Sequence, residues 1–149
     1  MKFKHLVILS IATMITAGCA TEVTSNETDT QTPIATTLAS PVAESGNFQA
    51  AEHPTQGKVS VVKEAGKSYL EFDQNFQTDN GPDLFVILHR SATPPVSGIQ
   101  EKDYVSIAAL QNISGTQRYA VPDNVNLADF KSVAIWCRQF NATFGYASL

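Results

Sequence analysis

The feature that most constrains this chain is its division, from Gly57 to Leu149, into short apolar runs separated by turn residues, none with sustained helical periodicity. GKVSVVKE and KSYLEF alternate polar and apolar positions and meet through Ala65-Gly66, the signature of a hairpin. DLFVILHR is apolar on both faces, which predicts an inner strand. DYVSIAAL, TQRYAV, KSVAIWCR and NATFGYASL follow, separated by ISG, PDN and an NLADF stretch that predicts one helical turn. This spacing predicts an all-β fold, an antiparallel β-sandwich or barrel-like single domain of about 7–9 short strands.

The chain is large enough to hold such a domain together. Its 149 residues, 43% of them hydrophobic, suffice for one core without disulfide or metal staples. A formal charge of -4, with no Lys/Arg cluster, excludes nucleic acid and anionic lipid as main partners, since both need a basic footprint.

The N-terminus reads as an address rather than as structure. MKFKHLVILSIATMITAGCA has a positive start at Lys2 and Lys4, an apolar run from Leu6 to Ile15, and small residues before Cys19. The run is shorter than the ~20 residues a membrane span needs. Thr16-Ala17-Gly18-Cys19 resembles the bacterial lipobox, with Thr16 standing where that motif usually has Leu. The resemblance implies a diacylated Cys19 as mature N-terminus, and two acyl chains suffice for stable anchoring. Ala20, a residue other than Asp, implies an outer-membrane destination facing the periplasm.

After Cys19 the chain turns to Thr, Ser and Ala, interrupted by Pro33 and Pro41 and without an aromatic until Phe48. Such a composition buries too little apolar surface to offset its ordering entropy. It predicts a disordered tether of about 28 Å root-mean-square span. Residues 1–18 are thus read as a lipoprotein signal peptide, 19–45 as the lipidated cysteine and flexible linker, and 46–149 as the β domain.

Candidate chemistry rests on few residues. Cys137, in IWCRQF, is the domain's one cysteine; strand parity puts it on a face with Val133 and Ile135 and turns Trp136 and Arg138 the other way. With Cys19 lipidated, Cys137 has no disulfide partner within the chain, and its readings are inert packing or redox and ligand chemistry. A bulge after Trp136 would bring Arg138 round to stabilise a thiolate. His53, in the AEHPTQG loop, and His89, on the face of Phe85 and Ile87, are candidate ligands for haem iron or copper. A copper centre of His53, His89 and Cys137 would need a glutamine or backbone oxygen as axial ligand, because both methionines lie in the signal. Covalent haem lacks its Cys-X-X-Cys-His motif. Asp79, Asn80 and Asp83 supply too few oxygens for calcium, and Asn80-Gly81-Pro82-Asp83 reads as a turn. No nucleophile elbow, phosphate loop or zinc spacing is present in the sequence.

GNF with His53 and Gly57, NFQTDNGPDLFVIL, GTQRYAVP and SVAIWCRQFNATFGYASL together resemble the DM-thirteen domain family, over nearly all of Gly46 to Leu149. The resemblance implies an extracytoplasmic all-β module acting in electron transfer, found alone in bacterial envelope proteins or beside DOMON and membrane cytochrome domains in animal ones. It implies redox work at Cys137, directly or through a bound group such as haem. The expected function is electron transfer or redox sensing with a redox partner in the envelope, rather than an enzyme with its own substrate. The alternative is a non-catalytic envelope binding module with Cys137 as core packing.

Overall fold

The computed structural model describes residues 42–149; the signal, Cys19 and the linker as far as residue 41 lie outside the described residues. Eleven strands follow in order: β1 (Val42–Asn47), β2 (Gln49–Ala50), β3 (Thr55–Gln56), β4 (Lys58–Glu64), β5 (Lys67–Phe72), β6 (Gln77–Thr78), β7 (Leu84–His89), β8 (Tyr104–Ala109), β9 (Gln117–Ala120), β10 (Ser132–Cys137) and β11 (Ala142–Ser148). Three of them, β2, β3 and β6, have two residues each, and of the eight longer strands all but β1 are those the sequence pattern makes visible. The NLADF turn is a short 3-10 helix at Leu127–Asp129, with Asn126 Oδ1 accepting from Ala128 N–H. Among the described residues no helix is long and apolar enough to cross a membrane.

All pairings are antiparallel. One sheet has the order β1-β4-β5-β9, a second β2-β11-β10-β7-β8, and β3 and β6 form a two-stranded ribbon. The β4–β5 hairpin turns at Ala65 and Gly66, both with positive φ (49° and 79°), the backbone a two-residue hairpin loop requires. Strand β7 lies inside its sheet between β10 and β8, which explains why DLFVILHR is apolar on both faces. β10, next to it, is buried at all six positions.

The inner core lies between the two larger sheets. Val59, Val61, Leu70 and Phe72 from one meet Val86, Leu88, Val133, Ile135 and Cys137 from the other. At about 25 cal/mol per Å², burial of these side chains is the main favourable term in the fold. A second cluster, Ile87, Ile99, Ala134 and Trp136, lies on the opposite face of the five-stranded sheet. It is roofed by the β7–β8 connector, which strand hydroxyls hold down: Ser132 donates to Ser91 O (2.7 Å), Thr143 to Pro95 O (2.6 Å) and Ser148 to Ala92 O (2.8 Å). The fold is therefore a sandwich with a strap across its outer face.

The ordered domain starts earlier than the sequence places it. Val42 to Ser45, assigned above to the linker, form the first part of β1 and pair with β4. Their side chains are exposed, so the strand is held by its backbone and leaves no apolar alternation to read.

Candidate functional site

Cys137 is the last residue of β10, in register with Leu84 on β7 and Ala142 on β11. Residues opposite one another on neighbouring strands share a face, so these two side chains flank the sulfur. Cys137 is 0% exposed and belongs to the inner cluster with Leu84 and Phe144. It faces inward with Val133 and Ile135, as parity requires, and Trp136 faces the outer cluster, where its Nε1–H donates to Asn141 Oδ1 at 3.0 Å.

The bulge expected after Trp136 lies elsewhere. The register passes from Ile135↔Gly145 to Trp136↔Thr143, so the extra residue is Phe144 on β11 and β10 itself runs straight. The bulge lets Phe144 and Gly145 both address the inner side. Gly145 fits there because a Cβ would collide with Thr55 and with the carbonyl of Gln49. Arg138 accordingly stays turned from the sulfur. Its Nε and Nη2 donate to the two carboxylate oxygens of Asp83 at 2.9 and 3.3 Å, its backbone N–H donates to Asp83 O at 3.0 Å, and its guanidinium lies 4.4 Å from the Phe85 ring centroid. No cation is thus delivered to the thiol by Arg138, which removes the stabilisation a reactive thiolate would draw from it.

The two histidines do not join Cys137 in one ligand set. His89 pairs with Ser132, five positions along β10 from Cys137, or about 17 Å at the usual strand rise. It also belongs to the other face. Its Nδ1 accepts from Ser91 N–H at 3.0 Å, a role that fixes the ring beneath the strap. His53 is nearer the cysteine end, in the bend between β2 and β3, with its ring stacked on Phe144 (centroids 3.9 Å apart, planes 28°) and Nδ1–H donating to Asp79 Oδ2 at 3.0 Å. A copper or haem ligand set of Cys137, His53 and His89 therefore does not fit. Nor, among the described residues, does any group of three His, Cys, Asp or Glu side chains stand together as metal ligands. Asp79 and Asp83, considered above as oxygen ligands, are engaged by His53 and Arg138.

What surrounds the cysteine end is a loop. Asp79 to Asp83 runs from β6 into β7, and a Cβ on Gly81 would lie 2.9 Å from both Leu84 Cδ2 and Phe144 Cζ, so the loop packs directly on two members of the Cys137 cluster. Its other side lines a groove of about 560 Å³ shared with Ala109 to Ile113. The His53–Asp79 and Arg138–Asp83 pairs and the stacking of His53 on Phe144 are what sequence reasoning misses, because each depends on contacts between residues far apart in the chain. The one sequence signal for them is the Phe144-Gly145 dipeptide in an otherwise continuous strand, since an internal glycine often marks a bulge.

No curated protein and no solved structure matches the chain. The family model described as Electron transfer DM13 matches residues 47–149, a span that begins in β1 and includes His53, the Asp79–Asp83 loop, His89, Cys137 and the bulge at Phe144. The chain belongs to the Electron transfer DM13 family.

Proposed function

We propose that this chain is an electron-transfer module of the bacterial envelope, anchored through a lipidated Cys19 and exchanging electrons with an envelope partner at Cys137. The observation that carries the reading is family membership extending over the strand that bears the domain's one thiol. A lipidated Cys19 keeps the domain at the outer membrane's periplasmic side, where it meets its partner.

Since the candidate ligands do not converge, the chemistry assigned is that of the sulfur alone. A peroxide oxidises the thiol by two electrons: the O–O bond breaks, an S–O bond forms, and water leaves with Cys137 as sulfenic acid. A partner thiol then displaces water to give a mixed disulfide, and a second partner thiol releases Cys137 reduced, the partner keeping the disulfide. Both steps require the sulfur to be reached, so a fully buried Cys137 reacts only after the cysteine end opens.

Burial favours one second reading, a non-catalytic binding module in which Cys137 is a small core hydrophobe. One preparation separates them. The mature protein, treated with hydrogen peroxide and then with a dithiol protein, is followed by peptide mass spectrometry at Cys137. A sulfenic acid that trapping reagents capture, and a mixed disulfide lost in Cys137→Ser, support electron transfer. A thiol that stays unmodified while the domain is folded favours the binding module. Anchoring is tested separately, because Cys19→Ser should move the processed protein from the membrane to the soluble fraction.

A further inference from the structure

We propose that the Asp79–Asp83 loop is a clasp whose fastening to Arg138 controls when Cys137 is reached. The idea that this access serves redox chemistry rests on the proposed function, whereas the mechanics rest on geometry alone. The loop closes the sandwich at the end where Cys137 terminates β10. It leads straight into Leu84, the register partner of Cys137, and its Gly81 packs without a side chain's width to spare against Leu84 and Phe144.

Its fastenings are at the surface. Asp83 is held by three hydrogen bonds from Arg138, two to the carboxylate and one to the carbonyl, and Asp79 is held by His53. The Arg138 side chain is 60% exposed and that of Asp83 30%, so water competes for the ion pair. The loop also borders the open groove of about 560 Å³ that it shares with Ala109 to Ile113, which leaves it room to move. A tight apolar seat, a weak polar fastening and free volume alongside are the elements of a local opening that leaves both sheets intact.

The test is the alkylation rate of Cys137 in the mature full-length protein, measured with iodoacetamide at several sub-denaturing urea concentrations and assigned by peptide mapping. Local opening exposes little surface, so its rate hardly depends on urea, whereas labelling through global unfolding rises steeply with it. Arg138→Gln and Asp83→Asn should each speed labelling about fivefold, with the double variant no faster than the faster single, since both break one contact. Gly81→Ala, which touches no charged group, should also speed it by pushing the loop off its seat. All three accelerations should stay insensitive to urea. Unchanged rates, or accelerations that grow with urea as global unfolding does, would overturn the clasp. If labelling follows the expected pattern but peroxide leaves Cys137 a thiol, the clasp stands and the redox reading falls.

Discussion

The two ends of the β7–β10 ladder are closed by different chemistry. At one end, His89 and Ser132, both buried, face each other, and directional hydrogen bonds hold them: Ser91 N–H to His89 Nδ1, Ser132 Oγ–H to Ser91 O, and Lys131 N–H to His89 O. At the other, Leu84, Cys137 and Ala142 are closed by apolar packing, and the polar contacts sit outside on the Asp79–Asp83 loop. A buried hydrogen bond is expensive to leave unmade, whereas an exposed ion pair exchanges readily with water. The His89–Ser132 end is therefore built to stay shut and the cysteine end can open, which places any chemistry at Cys137 on the more labile side of the same strand.

The largest effect should come from filling the bulge that shapes the cysteine end. Gly145→Val puts a branched side chain where Thr55 and the Gln49 carbonyl already approach. Overpacking of this kind costs about 3 kcal/mol. Urea denaturation should show that loss; a midpoint near wild type would mean that β11 relaxes freely and that the bulge does not fix Phe144.

Ser132→Ala breaks the other end. Ser132 is fully buried, and its removal takes away the donor to Ser91 O. The expected loss is about 1–3 kcal/mol. Labelling of Cys137 by local opening should not change in this variant, because the Ser132–Ser91 bond it breaks lies at the far end of β10 and on the other face. A Cys137 rate that rises in step with the lost stability, and with urea, would show the two ends to open together and would erase the contrast drawn here.

Much of this contrast is invisible in the sequence, for physical reasons that differ by residue. The β4–β5 turn, the doubly apolar β7 and the inward parity of Cys137 are local patterns, and the structure has them as the pattern predicts. Strand β1 leaves no pattern because its pairing is backbone alone. Ser132, Thr143 and Ser148 look like solvent-facing positions in an alternating strand, yet each anchors the strap, since a hydroxyl under a covering loop serves its carbonyls as well as water would. The bulge at Phe144 escapes parity counting because strand count and composition are the same with or without it. His53 and Asp79, and Arg138 and Asp83, meet only once the strands are paired.

A third polar closure, beside the groove at the cysteine end, gives a pH test. Tyr119 O–H donates to Gln117 Oε1, and Gln111 N–H donates to the Tyr119 oxygen. Burial pushes this phenol above its ordinary range, an effect partly offset by the Gln111 bond. The folded pKa is thus the higher one. Stability from the neutral phenol is fully present below the unfolded value of about 10 and is lost as pH rises towards the folded value. Denaturation at pH 9 and pH 11 should show a fall that Tyr119→Phe reduces; an equal fall in the variant would assign it to other groups.

The smallest effect belongs to the clasp itself. Asp83 reads from sequence as a turn residue bonding its own backbone, but its carboxylate is turned to Arg138. Asp83→Ala removes an exposed pair, leaves the Arg138–Phe85 contact in place, and should lower global stability by about 0.2–1 kcal/mol. At the upper limit that corresponds to about fivefold in an opening equilibrium, because the contact is lost equally when the loop opens and when the chain unfolds. The comparison of the two ends is then a matter of proportion: Ser132→Ala should cost more stability yet leave Cys137 labelling unchanged, and Asp83→Ala should cost less yet speed it. If Asp83→Ala shifts the denaturation midpoint but not the labelling rate, the ion pair braces the turn without guarding the sulfur, and the cysteine end is as firmly closed as the His89–Ser132 end.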